Sequence, residues 1–233
     1  MPKTNQFNFQ LLDDILSKFN LHTKNYVHYL QAFTHSSYAN EHNCRSNERM
    51  EFLGDALLNE GVGEFIYHKY SDMPEGKMTK IRAAYVCEDA NYIYATTLGI
   101  EKLILFGVGA ENEGARKNKS IVADAFECFL CATYFTFNHE AVISILKEVS
   151  FPLLDKCGET PFVDYKSRLQ EYIQADHDSQ LEYITIKEEG KPNDKTFTVQ
   201  VQLDKIALGT GIGKSKKQAG QEAAKAALEK MVK

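Results

Sequence analysis

Asn47-Glu-Arg-Met-Glu-Phe-Leu-Gly-Asp-Ala-Leu-Leu58 is the stretch on which the fold turns. Its apolar residues, Met50, Phe52, Leu53, Leu57 and Leu58, lie on more than one side of a helix, and Glu51 and Asp55 stand four apart among them. That spacing places both carboxylates on one helix face. Gly54 lies between them. Glycine inside a helix costs about 1 kcal/mol relative to alanine, so its presence predicts that another backbone passes close by. A second pair, Asp124 and Glu127, stands three apart in Ser120-Ile-Val-Ala-Asp-Ala-Phe-Glu127. Two such faces turned toward each other make an oxygen-rich pocket suited to Mg²⁺. Four buried carboxylates without a cation would be very unfavourable. Taken singly, each acid fits a solvated helix face, paired with Arg49 or a lysine. The apolar neighbours of Glu51 and Asp55, together with Gly54, point instead to a crowded setting.

Outward from these helices, residues 8–150 carry helical patterns. Phe9, Leu11, Leu12, Ile15, Leu16 and Phe19 recur at helical spacing. Further helices are expected over residues 25–33, 47–70, 77–97, 120–137 and 139–149, with Gly99 as a stop signal and a polar loop at 107–119. Residues 151–161 contain Pro152, Gly158 and Pro161 and read as a linker. Beyond it the rhythm changes. A helix over 164–173 precedes β-rich segments at 181–188, 196–203 and 205–211, and an Ala-rich amphipathic helix closes the chain at 215–231. The expected fold is therefore an all-α N-terminal domain followed by a small α-β-β-β-α domain.

Charge divides along the same boundary. The formal net charge is −5, yet residues 1–161 carry 15 Lys and Arg against 21 Asp and Glu, and residues 162–233 carry 12 against 11. An acidic half suited to metal ions is thus joined to a half with a local basic cluster. No apolar run reaches the roughly 18 residues of a membrane span, and the N-terminus lacks an apolar signal core. A cytoplasmic location is expected.

Asn47–Leu58 resembles the signature of ribonuclease III. Three further stretches agree in order and spacing: Ala32-Phe-Thr-His-Ser-Ser-Tyr-Ala-Asn40, Met73-Pro-Glu-Gly-Lys-Met-Thr-Lys-Ile-Arg-Ala83 and Lys119-Ser-Ile-Val-Ala-Asp-Ala-Phe-Glu127. The resemblance implies a catalytic domain over 8–137, a last helix and linker over 138–161, and an RNA-binding domain over 162–232. It implies Mg²⁺-dependent cleavage of double-stranded RNA to 5′-phosphate and 3′-hydroxyl ends, with Mn²⁺ as a plausible substitute. Glu51, Asp55, Asp124 and Glu127 match the metal-binding acids, with Asp55 and Glu127 foremost in catalysis. Glu48 and Glu75 match supporting acids. The family works as a homodimer in which each acid cluster cuts one strand, leaving short 3′ overhangs, and processing of ribosomal RNA precursors and other structured transcripts is its expected role.

The C-terminal pattern resembles a double-stranded-RNA-binding domain, which reads A-form shape across successive minor grooves. The resemblance assigns Lys166, Ser167, Gln170 and Glu171 to one groove and the turn at Pro192-Asn193-Asp194 to the next, with Asn193 where the family commonly has histidine. Lys214, Ser215, Lys216 and Lys217 crowd the start of the last helix, where cations, helix dipole and free N–H groups together seat phosphates.

Other motifs carry less. Gly209-Thr-Gly-Ile-Gly-Lys-Ser215 misses the nucleotide-binding P-loop because Leu208 stands where its first glycine belongs, so no nucleotide cofactor is expected. Cys128 and Cys131 form a C-x-x-C inside an apolar helix and read as small core residues. His35 beside Ser36 and Ser37 reads as structural. Lys119 and Ser120 are candidates to support the acids or a phosphate. Two other functions remain open: a non-catalytic RNA-binding protein on the same scaffold, and a metal-dependent phosphohydrolase for small molecules, for which His177-Asp178 is the only further hint.

Overall fold

Apolar residues at helical spacing build most of the chain into helices. The computed structural model describes residues 7–157, 165–174, 181–190 and 195–231. In chain order these form α1 (Phe9–Ser17), α2 (Val27–Ala32), α3 (Ser36–His42), α4 (Glu48–Lys69), α5 (Glu75–Tyr85), α6 (Glu88–Leu98), α7 (Val108–Asn112), α8 (Lys119–Thr136), α9 (His139–Val149), α10 (Phe151–Cys157) and α11 (Tyr165–Gln174). Strands β1 (Leu181–Glu189), β2 (Thr196–Leu203) and β3 (Ile206–Gly213) follow, then α12 (Lys216–Met231). The chain divides into two units, Met1–Phe162 and Val163–Lys233.

In the first unit α8 is the central post. Its side chains Val122, Ala125, Phe126, Cys128, Phe129, Leu130 and Ala132 are buried, and α2, α4, α6 and α9 pack around it. The Asn118 side chain caps its start by accepting from Ser120 N at 3.0 Å, filling one of the orphan donors of the first turn. Helix α4 behaves differently. Met50, Gly54, Leu58, Val62 and Ile66 form one buried stripe, whereas Phe52 is 82% exposed and Ala56 is also exposed. The crowded surroundings expected for the whole Asn47–Leu58 stretch therefore hold along one face only.

Three local expectations change. The single helix over 77–97 is broken: Cys87 is extended (φ −76°, ψ 163°) and starts α6. The Tyr94 hydroxyl donates to the Tyr85 carbonyl at 3.0 Å across that break, inside the core. Within 107–119 the chain forms α7 and a short 3₁₀ turn, Ala115–Lys117, tied down by a two-point Arg116–Glu111 ion pair. Of the stretch read as linker, Phe151–Cys157 is helical. Pro152 is tolerated in the first turn, where no N–H is needed, and Phe151 and Leu154 are buried in the helical core. The Phe151 ring stacks on Phe65 at 3.9 Å.

The second unit is an antiparallel sheet of order β1-β2-β3, with α11 and α12 packed together and α12 laid across β2 and β3. Leu169, Ile173, Val199, Val201, Ala219, Ala223, Ala224 and Ala227 form its core. The small residues serve close approach: a β-carbon at Gly209 or Gly211 would strike the α12 backbone at Ala223. This is the expected α-β-β-β-α order.

Candidate active site

The site begins at a helix crossing. A β-carbon on Gly54 would collide with the backbone carbonyl of Glu127, so α4 and α8 touch there, as the glycine inside the helix predicted. Asp55 follows Gly54 in sequence, and Glu51 and Asp124 lie one turn away on their helices. The electrostatics follow this pairing. Glu127 feels the charges of Asp55, Asp124 and Glu51, Asp124 feels Glu51, and Glu51 feels Asp55. The crossing thus gathers the four acids into one neighbourhood.

Their proton affinities report crowding. Burial, reinforced by Asp55, Asp124 and Glu51, pushes the Glu127 carboxyl up to about 8, against an opposing hydrogen bond from Asn91. Burial with the charges of Glu51 and Glu88 pushes Asp124 up to about 6, opposed by a hydrogen bond from Ser120. Burial, then Glu48 and Asp55, raise Glu51. Asp55 is exposed and accepts from Asn59 Nδ2 at 2.8 Å. Among the described residues, no three His, Cys, Asp or Glu side chains close into a ready-made ion cage. Burial first, and the like charges of the neighbouring acids second, favour the protonated forms of the Glu51, Asp124 and Glu127 carboxyls. An all-oxygen donor set suits Mg²⁺, a hard cation that favours carboxylate ligands.

The outlying candidates separate. Glu48 is exposed, accepts from the Ser46 hydroxyl at 2.9 Å and acts on Glu51 from the rim. Glu75 opens α5, and its carboxylate accepts from the Thr79 hydroxyl at 2.9 Å. Ser120 supports Asp124, while Lys119 pairs with Asp89. His35 has a structural place: its Nδ1 lies 2.8 Å from Ser37 Oγ, which in turn accepts from Gly107 N at 3.0 Å. Cys128 and Cys131 are free and buried, and burial raises both thiols, that of Cys131 to about 11. These are core residues, not reactive ones.

Two site residues escape the motif reading, Asn91 and Glu88. Asn91 Nδ2 donates to Glu127 Oε1 at 2.7 Å. The signal was a polar residue in line with Ala95 and Leu98 on the buried face of α6.

In the second unit, Lys214, Ser215, Lys216 and Lys217 are all exposed at the start of α12. Ser215 Oγ accepts from Gln218 N at 3.1 Å, and Gln218 Oε1 accepts from Lys214 N at 2.9 Å, a variant of the capping box. Lys216 is partly committed, 2.8 Å from Glu188. Lys166 Nζ stands over the Tyr183 ring at 4.2 Å, and Gln170 is half-buried. Ser167 and Glu171 lie on α11, but their side chains fall outside the described positions, as do Asn193 and the His177-Asp178 pair altogether.

Comparison with known proteins shows the family of each part of the chain. A "Ribonuclease-III-like" family model matches residues 27–152, and a "Double-stranded RNA binding motif" model matches residues 165–231. Proteins called Ribonuclease 3 from Bacillus cereus (strain AH187) and Bacillus anthracis (strain A0248) are 44% identical over 205 residues, 87% of this chain and 84% of theirs. A nuclease-domain structure of ribonuclease III from Campylobacter jejuni, described for flexibility in a region involved in dimer formation, aligns with a TM-score of 0.56 and 32% identity. It covers 60% of this chain and 99% of that one.

Proposed function

This chain belongs to the ribonuclease III family of endoribonucleases, and we propose that it cuts both strands of double-stranded RNA in a Mg²⁺-dependent reaction at Glu51, Asp55, Asp124 and Glu127. The observation that carries this reading is the contact of α4 with α8 at Gly54 and Glu127, which brings two acid pairs together in a chain that also matches an RNA-binding motif.

When bound, the ion supplies a nucleophilic water and stabilises the departing oxygen, and Mn²⁺ is a plausible substitute. The protein's part is to hold oxygens on rigid helices. Glu127 and Asp124, half-buried on the central post, form the fixed side of the cluster. Glu51 and Asp55 face them from α4, and Glu48 and Glu75 are supporting acids. Lys214, Ser215, Lys216 and Lys217 would hold phosphates at the start of α12, and Lys166, Ser167, Gln170, Glu171 and Asn193 would meet the grooves. Water attack on phosphorus with departure of the 3′ oxygen would leave 5′-phosphate and 3′-hydroxyl ends, and two copies cutting opposite strands at offset positions would leave short 3′ overhangs. Exposed Phe52, on the helix that carries Glu51 and Asp55, supports the homodimer. The catalytic domain is taken as 8–137, joined through 138–161 to the RNA-binding domain at 162–232. Maturation of ribosomal RNA precursors and other structured transcripts in the cytoplasm fits this chemistry.

Labelled duplex RNA incubated with Mg²⁺ or with EDTA tests the reading. Cleavage should require the ion. Glu127→Ala should lower it at least about 100-fold, the scale of losing one electrostatic stabiliser at a reacting centre, while duplex binding persists. Unchanged Mg²⁺-dependent cutting by Glu127→Ala would remove Glu127 from its role. Duplex binding without any cutting by the unaltered protein would favour a non-catalytic binder, and hydrolysis of nucleotides alone a small-molecule phosphohydrolase.

A further inference from the structure

Asn91 is 2% exposed on the face of α6 that packs against α8, among Ala90, Tyr94, Ala95 and Leu98. Every one of those neighbours is apolar or nearly so. A leucine, with the same branching and heavy-atom count, would occupy the position at a lower desolvation cost, because a buried amide is costly unless both of its ends are bonded. Here one end is bonded and the other is not. Nδ2 donates to Glu127 Oε1 at 2.7 Å, while Oδ1 is buried without a hydrogen-bond partner among the described residues. Packing does not explain an amide kept inside under those terms; orientation of Glu127 does. A short hydrogen bond from a side chain buried in a helix–helix seam ties Oε1 of that carboxylate to α6 and leaves Oε2 outside that bond. Partners of this kind, one step behind a metal ligand, set its direction and its affinity for the ion.

We propose that Asn91 is a positioning residue that holds the Glu127 carboxylate in the orientation a divalent ion requires. The inference rests on the assignment of Glu127 to the metal site. Binding of Mn²⁺ to the full-length, metal-free protein, followed by electron paramagnetic resonance of the free ion, tests it apart from catalysis. The unaltered protein should take up Mn²⁺ and Glu127→Ala should not. Asn91→Leu should bind Mn²⁺ about 10- to 100-fold more weakly, with its helical circular dichroism and metal-free melting temperature retained, because the change also removes an unpaired buried acceptor. Asn91→Ala should lose the same affinity, and it replaces the leucine variant if that protein fails to fold. Affinity within twofold of the unaltered protein in a folded Asn91 variant would overturn the positioning role while leaving the metal site standing. Mn²⁺ uptake that is indifferent to Glu127→Ala would overturn both.

Discussion

At the scale of single residues the acid cluster carries a measurable signature. Glu127 is raised to about 8 from an ordinary 4.5, with burial the largest cause and the neighbouring carboxylates next. The folded protein therefore holds a proton on Glu127 that the unfolded chain has released, throughout the window from about 4.5 to 8. Stability falls with rising pH wherever the folded state binds more protons. In EDTA, the melting temperature should decline across that window, and Glu127→Gln should flatten the slope. Mg²⁺ should restore stability most at the high end, where the carboxylate is free of its proton. A melting temperature in EDTA that is flat or rising over the same range would show that the carboxyls are not crowded. Which residues carry the charge was legible in the chain, because acids at spacings of four and three within apolar helices are costly to keep. How strongly each is perturbed was not, since that depends on Glu88, Asn91 and Ser120, which reach the cluster only in the folded protein.

At the scale of elements, the crossing of α4 and α8 governs the site. Gly54→Ala should favour the isolated helix by about 1 kcal/mol. In the protein the added carbon meets a backbone carbonyl of Glu127, which cannot rotate aside. Overpacking of this kind costs about 1–3 kcal/mol, so the collision outweighs the propensity. The variant should melt at lower temperature and cleave duplex RNA more slowly, since α8 must shift and carry Asp124 and Glu127 with it. A more stable Gly54→Ala protein would mean that the helices are not in contact. The helix break at Val86 and Cys87 shows the opposite case. Neither Gly nor Pro marks it, and the run 77–97 reads as continuous. Buried Tyr85 and Tyr94 bond across it. Residues 151–161 likewise read as linker from Pro152, Gly158 and Pro161, although Phe151 and Leu154 anchor Phe151–Cys157 to the helical core.

At the scale of the whole molecule, Phe52 is the most telling exposed group, at 82%. A second copy is the proposed cover for it, and a single aromatic anchor commonly carries about 2 kcal/mol or more of an interface. Phe52→Asp should weaken self-association by at least about 30-fold in sedimentation equilibrium, while the circular dichroism of the protein stays unchanged, because the side chain makes little contact within its own copy. Association of undiminished strength would place the interface elsewhere. What the sequence determined by itself is local and periodic: two acid pairs on helix faces, a glycine reserved for a close crossing, a helical domain followed by α-β-β-β-α, and lysines gathered where a last helix begins. These follow from spacing, which the backbone geometry of helix and strand converts directly into faces. What only the tertiary structure decided is relational: the break before α6, the single buried stripe of α4, and the amide of Asn91 set against Glu127. Each depends on which surfaces meet, and contact between residues far apart in the chain leaves no period in the sequence to read.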